Sequence, residues 1–245
     1  MRLPASLFAV VTAIVLSMPV AAQDNLITLG AFVTVRAENV PQFERQVREH
    51  NEWHASQNDP QLWATYQAIT GHGEYALLAP GMTWASMDTP TLDMGADIAH
   101  WAESGAPYTE TEEFVLWTDI PGGNPPEDPS QFPVIQVYDF DINSGGQAAA
   151  FHTIERASEA LSQTGIHFQW STVVSRDGPP GAFLALWFPS FAELGAPGPG
   201  ADQVMADAFG AGEGARILAQ FNKATTAVSS QIWTFRPDLS YNPGM

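Results

Sequence analysis

Two histidines four residues apart, His50 and His54, are the side chains in this sequence best suited to chemistry. On a helix, positions i and i+4 stack one above the other, so both imidazoles could reach one metal ion or act as acid and base on one substrate. The run reads His-Asn-Glu-Trp-His, and Glu52 therefore misses the base position of a His-Glu-x-x-His zinc peptidase, which excludes that activity. Val40, Phe43 and Val47 precede the pair at steps of three and four, so the histidines extend an apolar stripe and face packing rather than water. A histidine so placed needs a hydrogen-bond partner or a task. Three uses stay open: a catalytic or ligand-pocket role, a shared metal, or hydrogen bonds to backbone and tyrosine hydroxyl groups at the wetter end of the helix.

The helix that must carry them starts at Glu38-Asn39-Val40-Pro41, with asparagine as N-cap and proline in the first turn, and stops at Asn58-Asp59-Pro60. A strand over residues 62–70 follows, with Trp63, Thr65 and Gln67 on one face and Leu62, Ala64 and Tyr66 on the other. Its counterpart over 166–175 sets His167, Gln169 and Ser171 against Ile166, Phe168 and Trp170. One face of each lines the space between the sheets and mixes aromatic surface with a few polar groups, the usual make-up of a small-molecule pocket. The expected ligand-binding residues are Trp53, Trp63, His167 and Trp170, and Tyr66 joins His50 and His54 as a catalytic acid–base candidate. The plainer alternative is that aromatic residues at strand spacing are core, which is the expectation for Trp117 and Trp233.

Around these elements the chain divides nearly in half. The first unit, 23–121, reads as a strand over 26–35, the histidine helix, strands over 62–70 and 75–79, a short helix over 96–103 and a strand over 113–120. Residues 122–133, rich in proline and glycine, form a linker. The second unit, 134–245, repeats the order: strand 134–142, helix 146–163, strands 166–175 and 182–188, a long helix from 203 to about 228, and strand 231–236. Leu116-Trp117-Thr118-Asp119-Ile120-Pro121 echoes Ile232-Trp233-Thr234-Phe235-Arg236-Pro237, and Trp84-Ala85-Ser86-Met87 echoes Phe191-Ala192-Glu193-Leu194. Each half thus predicts an α+β, β-α-β-β-α-β ferredoxin-like unit, and two such units can pair their uncovered sheet faces.

In this pattern the chain resembles the dimeric α/β-barrel superfamily, which includes antibiotic-biosynthesis monooxygenases, muconolactone isomerases, haem-degrading monooxygenases and chlorite dismutases. The resemblance covers nearly all of the sequence after residue 22, with both barrel halves on one chain, and is one of pattern rather than of a catalytic motif. The closing Arg236-Pro237-Asp238-Leu239-Ser240-Tyr241 and the His-x-x-Trp-His run resemble those of exported bacterial proteins of this type. It implies a small-molecule ligand and a chemistry such as oxygenation or isomerisation. In haem-binding branches a helix-borne histidine ligates the iron, a role for which His50 or His54 would serve. Against haem stands the scarcity of basic partners for its propionates, with Arg45 and Arg48 nearest. The cofactor is left unassigned.

Composition narrows the partners. Residues 1–22, with Arg2, an apolar run over 7–16 and a small-residue cleavage site, read as a secretory signal peptide, so the expected location is periplasmic or extracellular. Its loss makes the formal charge of −18 one unit more negative, which disfavours nucleic acid and anionic lipid. Zero cysteines exclude a disulfide framework and leave stability to a buried core. A monomer suffices in principle, and a homodimer is not excluded. Gly210 to Gly214 interrupts a helix and is no phosphate loop, and Glu110, Glu112 and Glu113 read as a solvated approach to a strand. His152 reads as a surface residue, while His72 and His100 have no partner that sequence identifies.

Overall fold

A computed structural model describes residues 26–70, 73–175 and 180–244. The proposed signal peptide and His72 lie outside the described residues. Eight strands close into one barrel: β1 (Ile27–Val35), β2 (Ala64–Ala68), β3 (Glu74–Met82), β4 (Thr109–Ile120), β5 (Val134–Ile142), β6 (His167–Ser175), β7 (Gly181–Phe188) and β8 (Thr225–Phe235). Their order around the barrel is β1-β3-β2-β8-β5-β7-β6-β4, and every pairing is antiparallel. The first half of the chain supplies β4-β1-β3-β2 and the second β8-β5-β7-β6; they join through β2 with β8 and β4 with β6. A single chain thus closes the barrel and leaves no free sheet edge.

Closure follows from period-two patterning. Along β1, Val33 and Val35 face outward onto Phe43 and Val47 of α1 (Val40–Ser56), while Phe32 and Thr34 face the lumen. Gly30 also sits on the lumen side: a Cβ there would lie 2.6 Å from the Trp117 ring, so only glycine lets that indole cross the barrel wall. On the outer face of the second half, α4 (Gln147–Leu161) and α7 (Ala211–Ala224) cover Phe140, Phe168 and Trp170 with Ile154 and Phe221 in a dry core. The first half is covered by α1, with α3 (Met94–Glu103) alongside; Trp101 meets Phe43 edge-on at 6.2 Å.

Several features depart from the sequence reading. Asn39 occupies the N-cap position of α1 but makes no side-chain cap hydrogen bond, and Pro41 carries the start instead. The long helix over 203–228 is two helices, α6 (Ala201–Phe209) and α7, broken at Gly210 with φ 81°; residues from Thr225 on belong to β8. Strand β4 begins at Thr109 rather than at 113. The echoed tetrapeptides are both short helices, α2 (Trp84–Asp88) and α5 (Phe191–Leu194). Each follows the third strand of its half, and each is capped by a hydroxyl, Thr83 or Ser190, that accepts from the backbone N–H three residues on.

Candidate functional site

Two features are built for chemistry, and they lie on opposite faces of the barrel wall. The first is the lumen, a cavity of about 610 Å³, within the range of small-molecule sites. Phe183, Trp117, Phe32 and Trp233 run around its wall with successive ring centroids 5.8–6.1 Å apart. Trp117 and Trp233 are buried as expected of core residues, yet they line a cavity instead of filling it. Polar groups interleave with these rings. Asp119 accepts a 2.7 Å hydrogen bond from the Ser171 hydroxyl, and burial raises its carboxyl above the ordinary range, outweighing that bond. Glu74 accepts from the Gln231 amide, and Glu113 and Asp139 also line the wall. The prolines of the linker, Pro125, Pro126 and Pro129, border the cavity. Its described lining contains no lysine, arginine or histidine.

The second feature lies between α1, α3 and the outer face of the sheet. Both predicted histidines point inward from α1 and are buried, His54 at 1% exposure. His54 Nε2 is 3.1 Å from His50 Nε2, and the Asp97 Oδ1 atom lies 3.1 Å from His50 Nε2 and 3.6 Å from His54 Nε2. Asp97 stands in the first turn of α3, which Asp93 caps by accepting from the N–H groups of Gly95 and Ala96. His100, one turn further along α3, brings its Nδ1 to 2.8 Å from His50 Nδ1. Asp59, also buried, brings Oδ2 to 2.8 Å from His54 Nδ1, an approach short in distance but poor in alignment. Asn58, with φ 54°, turns the chain so that Asp59 folds back on the helix end, where it accepts from the Gln61 N–H and the Trp63 indole. Aromatic rings wall the cluster: Trp53 stacks on His50 and His100, and Tyr241 stacks on His54. Burial and the neighbouring His50 push His54 below the usual imidazole range, and burial does the same to His100.

The residues expected to form one pocket are therefore distributed over several places. Tyr66 lines the lumen, where burial pushes its hydroxyl up to about 12, and the wall separates it from His50 and His54. Trp53 and Trp63 belong to the histidine cluster. Trp170 points away from the lumen into the core beneath α4 and α7, stacked on Phe140. His167 is half-buried outside the lumen lining, its ring against Phe132 and its Nδ1 2.7 Å from the Asn124 carbonyl oxygen in the linker. The face of β2 that lines the cavity is Leu62, Ala64 and Tyr66; on β6 it is Gln169 and Ser171. His152 is exposed beside Glu155. Glu110, Glu112 and Glu113 are exposed, as expected of a solvated strand entry; Glu113 also borders the lumen, Glu110 pairs with Arg36, and Glu112 accepts from the Trp101 indole. Asp59, Asp97, His100 and Asp119 were missed. The Asp97-x-x-His100 spacing on a short helix was the available signal for two of them.

No protein-family model matches the sequence, and no curated protein matches it in sequence. Solved structures match in fold. A monooxygenase-like protein from Lactobacillus acidophilus NCFM is 8% identical over 89% of this chain and 97% of its own, with a TM-score of 0.58. An anthrone oxidase-like protein is 9% identical over 91% and 95%, with a TM-score of 0.61. A mutant chlorite dismutase from Candidatus Nitrospira defluvii is 8% identical over 89% and 93%, with a TM-score of 0.56. The fold is that of the dimeric α/β-barrel, ferredoxin-like proteins.

The haem that the resemblance brought into view does not fit the residues present. His50 and His54 are sealed by Trp53, Trp101 and Tyr241, and the neighbouring cleft, of about 90 Å³, is too small for a macrocycle. The cavity that is large enough offers no histidine for the iron and no cation for the propionates among its described lining residues.

Proposed function

We propose that this chain is an exported small-molecule-binding barrel whose lumen takes a largely apolar, aromatic molecule that is neutral or positively charged. The carrying observation is the lining: an aromatic wall interleaved with carboxylates and no described cationic side chain. Such a surface attracts a cation through ring faces and acidic groups and repels an anion. Export rests on the reading of residues 1–22, and the ferredoxin-like order of each half supports an origin by duplication. Because the two halves close the barrel on one chain, a monomer is the functional unit of this reading.

Asp119 is the proton-transfer group of the lumen. It is half-buried in the wall and held by Ser171, and burial raises its carboxyl above the ordinary range. Tyr66 can donate a hydrogen bond there but, with its hydroxyl at about 12, cannot serve as a base near neutrality. The direct test is titration with 1-naphthylmethylamine and with 1-naphthoate, read by quenching of Trp117, Trp187 and Trp233. The amine should bind at least about tenfold more tightly, and A185W, which fills the lumen, should abolish binding. Equal binding of the two probes, or binding by neither, overturns the reading. Asp119→Asn then separates an enzyme, which would keep affinity and lose turnover, from a carrier.

A further inference from the structure

We propose that His50, His54 and Asp97 bind one divalent transition-metal ion, with Asp59 and His100 orienting the two imidazoles from behind. The site lies outside the barrel wall and is independent of the lumen reading. Three donor atoms from two helices converge here: His50 Nε2, His54 Nε2 and Asp97 Oδ1, separated by 3.1, 3.1 and 3.6 Å. Ligands that share an ion at about 2.1 Å stand this far apart, and a single point can lie at that distance from all three. Two imidazoles and one carboxylate on one face of an ion leave its remaining positions open. The arrangement is narrower than a surface cluster, because all three donors are fixed by helices and His54 is buried almost completely.

Proton counting points the same way. Asp97 Oδ1 is buried and accepts no hydrogen bond. The Asp59 carboxylate 2.8 Å from His54 Nδ1 favours the tautomer with its proton on that nitrogen, in which Nε2 is a lone pair beside His50 and Asp97. The Nδ1 of His50 faces the Nδ1 of His100, and metal binding selects the tautomer in which His50 donates there and its Nε2 is the free lone pair. The carboxylate–histidine arrangement behind one ligand and the imidazole behind the other are what hold metal-bound histidines in one tautomer. Without an ion, one Nε2 can donate to the other imidazole, while the buried Asp97 Oδ1 beside them accepts no hydrogen bond, in a space walled by Trp53 and Tyr241. The two carboxylates, Asp59 and Asp97, offset a dication's charge in this dry setting. The cleft of about 90 Å³ is bordered by Asp59, Trp63, Met94 and Asp97, and it admits water or a small ligand beside the ion.

The test uses the full mature chain, stripped with chelator and titrated with Co(II) and Zn(II). One equivalent should bind, with a Co(II) visible spectrum that Zn(II) displaces. Asp97→Asn removes a donor at a partly exposed position and should weaken binding by at least about 100-fold while leaving the near-ultraviolet circular dichroism unchanged. Asp59→Asn should weaken it by about 10–100-fold through the imidazole it holds. If the wild-type chain takes up neither ion, or if Asp97→Asn binds as tightly as wild type, the proposal is overturned. His54→Gln adds a second arm that keeps its polarity; retained stoichiometric binding in that variant also overturns it.

Discussion

The helices α1 and α4 occupy equivalent places over the two halves of the barrel and bury their stripes at the same spacing. Phe43, Val47, His50 and His54 on α1 correspond in step to Ala150, Ile154, Ala157 and Leu161 on α4, the last two half-buried. Where the second half continues in hydrocarbon beneath α6 and α7, the first half switches to two imidazoles met by Asp97 and His100 from α3. Hydrocarbon at the end of the stripe is satisfied by contact alone. Imidazoles require partners, and the first half supplies them from a second helix and from a turn that folds back. One scaffold position thus packs in one half and collects polar ligands in the other.

The comparison breaks most severely in the dry half. Phe168→Ala removes a fully buried ring beneath α4 and should cost about 3–5 kcal/mol in chemical denaturation. Next is the paired change His50→Ala with His54→Leu, which gives α1 the stripe of α4. It should erase Co(II) binding and cost about 3–5 kcal/mol, because the Asp59 and Asp97 carboxylates stay in place and lose their imidazole partners. A loss below about 1 kcal/mol in the metal-free chain would show that the imidazoles do not hold these carboxylates. Gly30→Ala should cost about 1–3 kcal/mol and move the Trp117 fluorescence, since the new methyl group meets that ring at the wall both halves share.

Two pH effects should be smaller and opposite in sign. The Arg236 guanidinium bonds Glu44 at 2.6 Å and lowers its carboxyl below 4.5, so the bond adds stability above that value and the contribution is lost as pH falls through the depressed one. Glu44→Gln should flatten the acid limb of a plot of Tm against pH. Asp119 is raised above 3.8 by burial, so its contribution is present at low pH and is lost as pH rises through the raised value. Asp119→Asn should remove that decline, and an unchanged slope would place the carboxyl in water.

Much of the architecture was legible in the order of residues. Alternation of residues such as Phe32 and Thr34 against Val33 and Val35 can be satisfied only by a strand with two unlike faces, and a 3.6-residue stripe only by a helix with one buried side. The placement of His50 and His54 on a buried face follows from the same periodicity, as does the stop at Asn58-Asp59-Pro60. Which face of β2 and β6 turns into the lumen was not legible, because period two states that faces differ and says nothing about which one a second sheet will meet. That choice put Tyr66 inside, turned Trp170 outward, and set a wall between Tyr66 and the histidines. Nor could spacing show that Asp97 and His100, some fifty residues along the chain, would reach the imidazoles, since the approach depends on how α3 packs beside α1. Local sequence determined the periods and the breaks; the closing of the barrel and the docking of one helix on another decided which side chains meet.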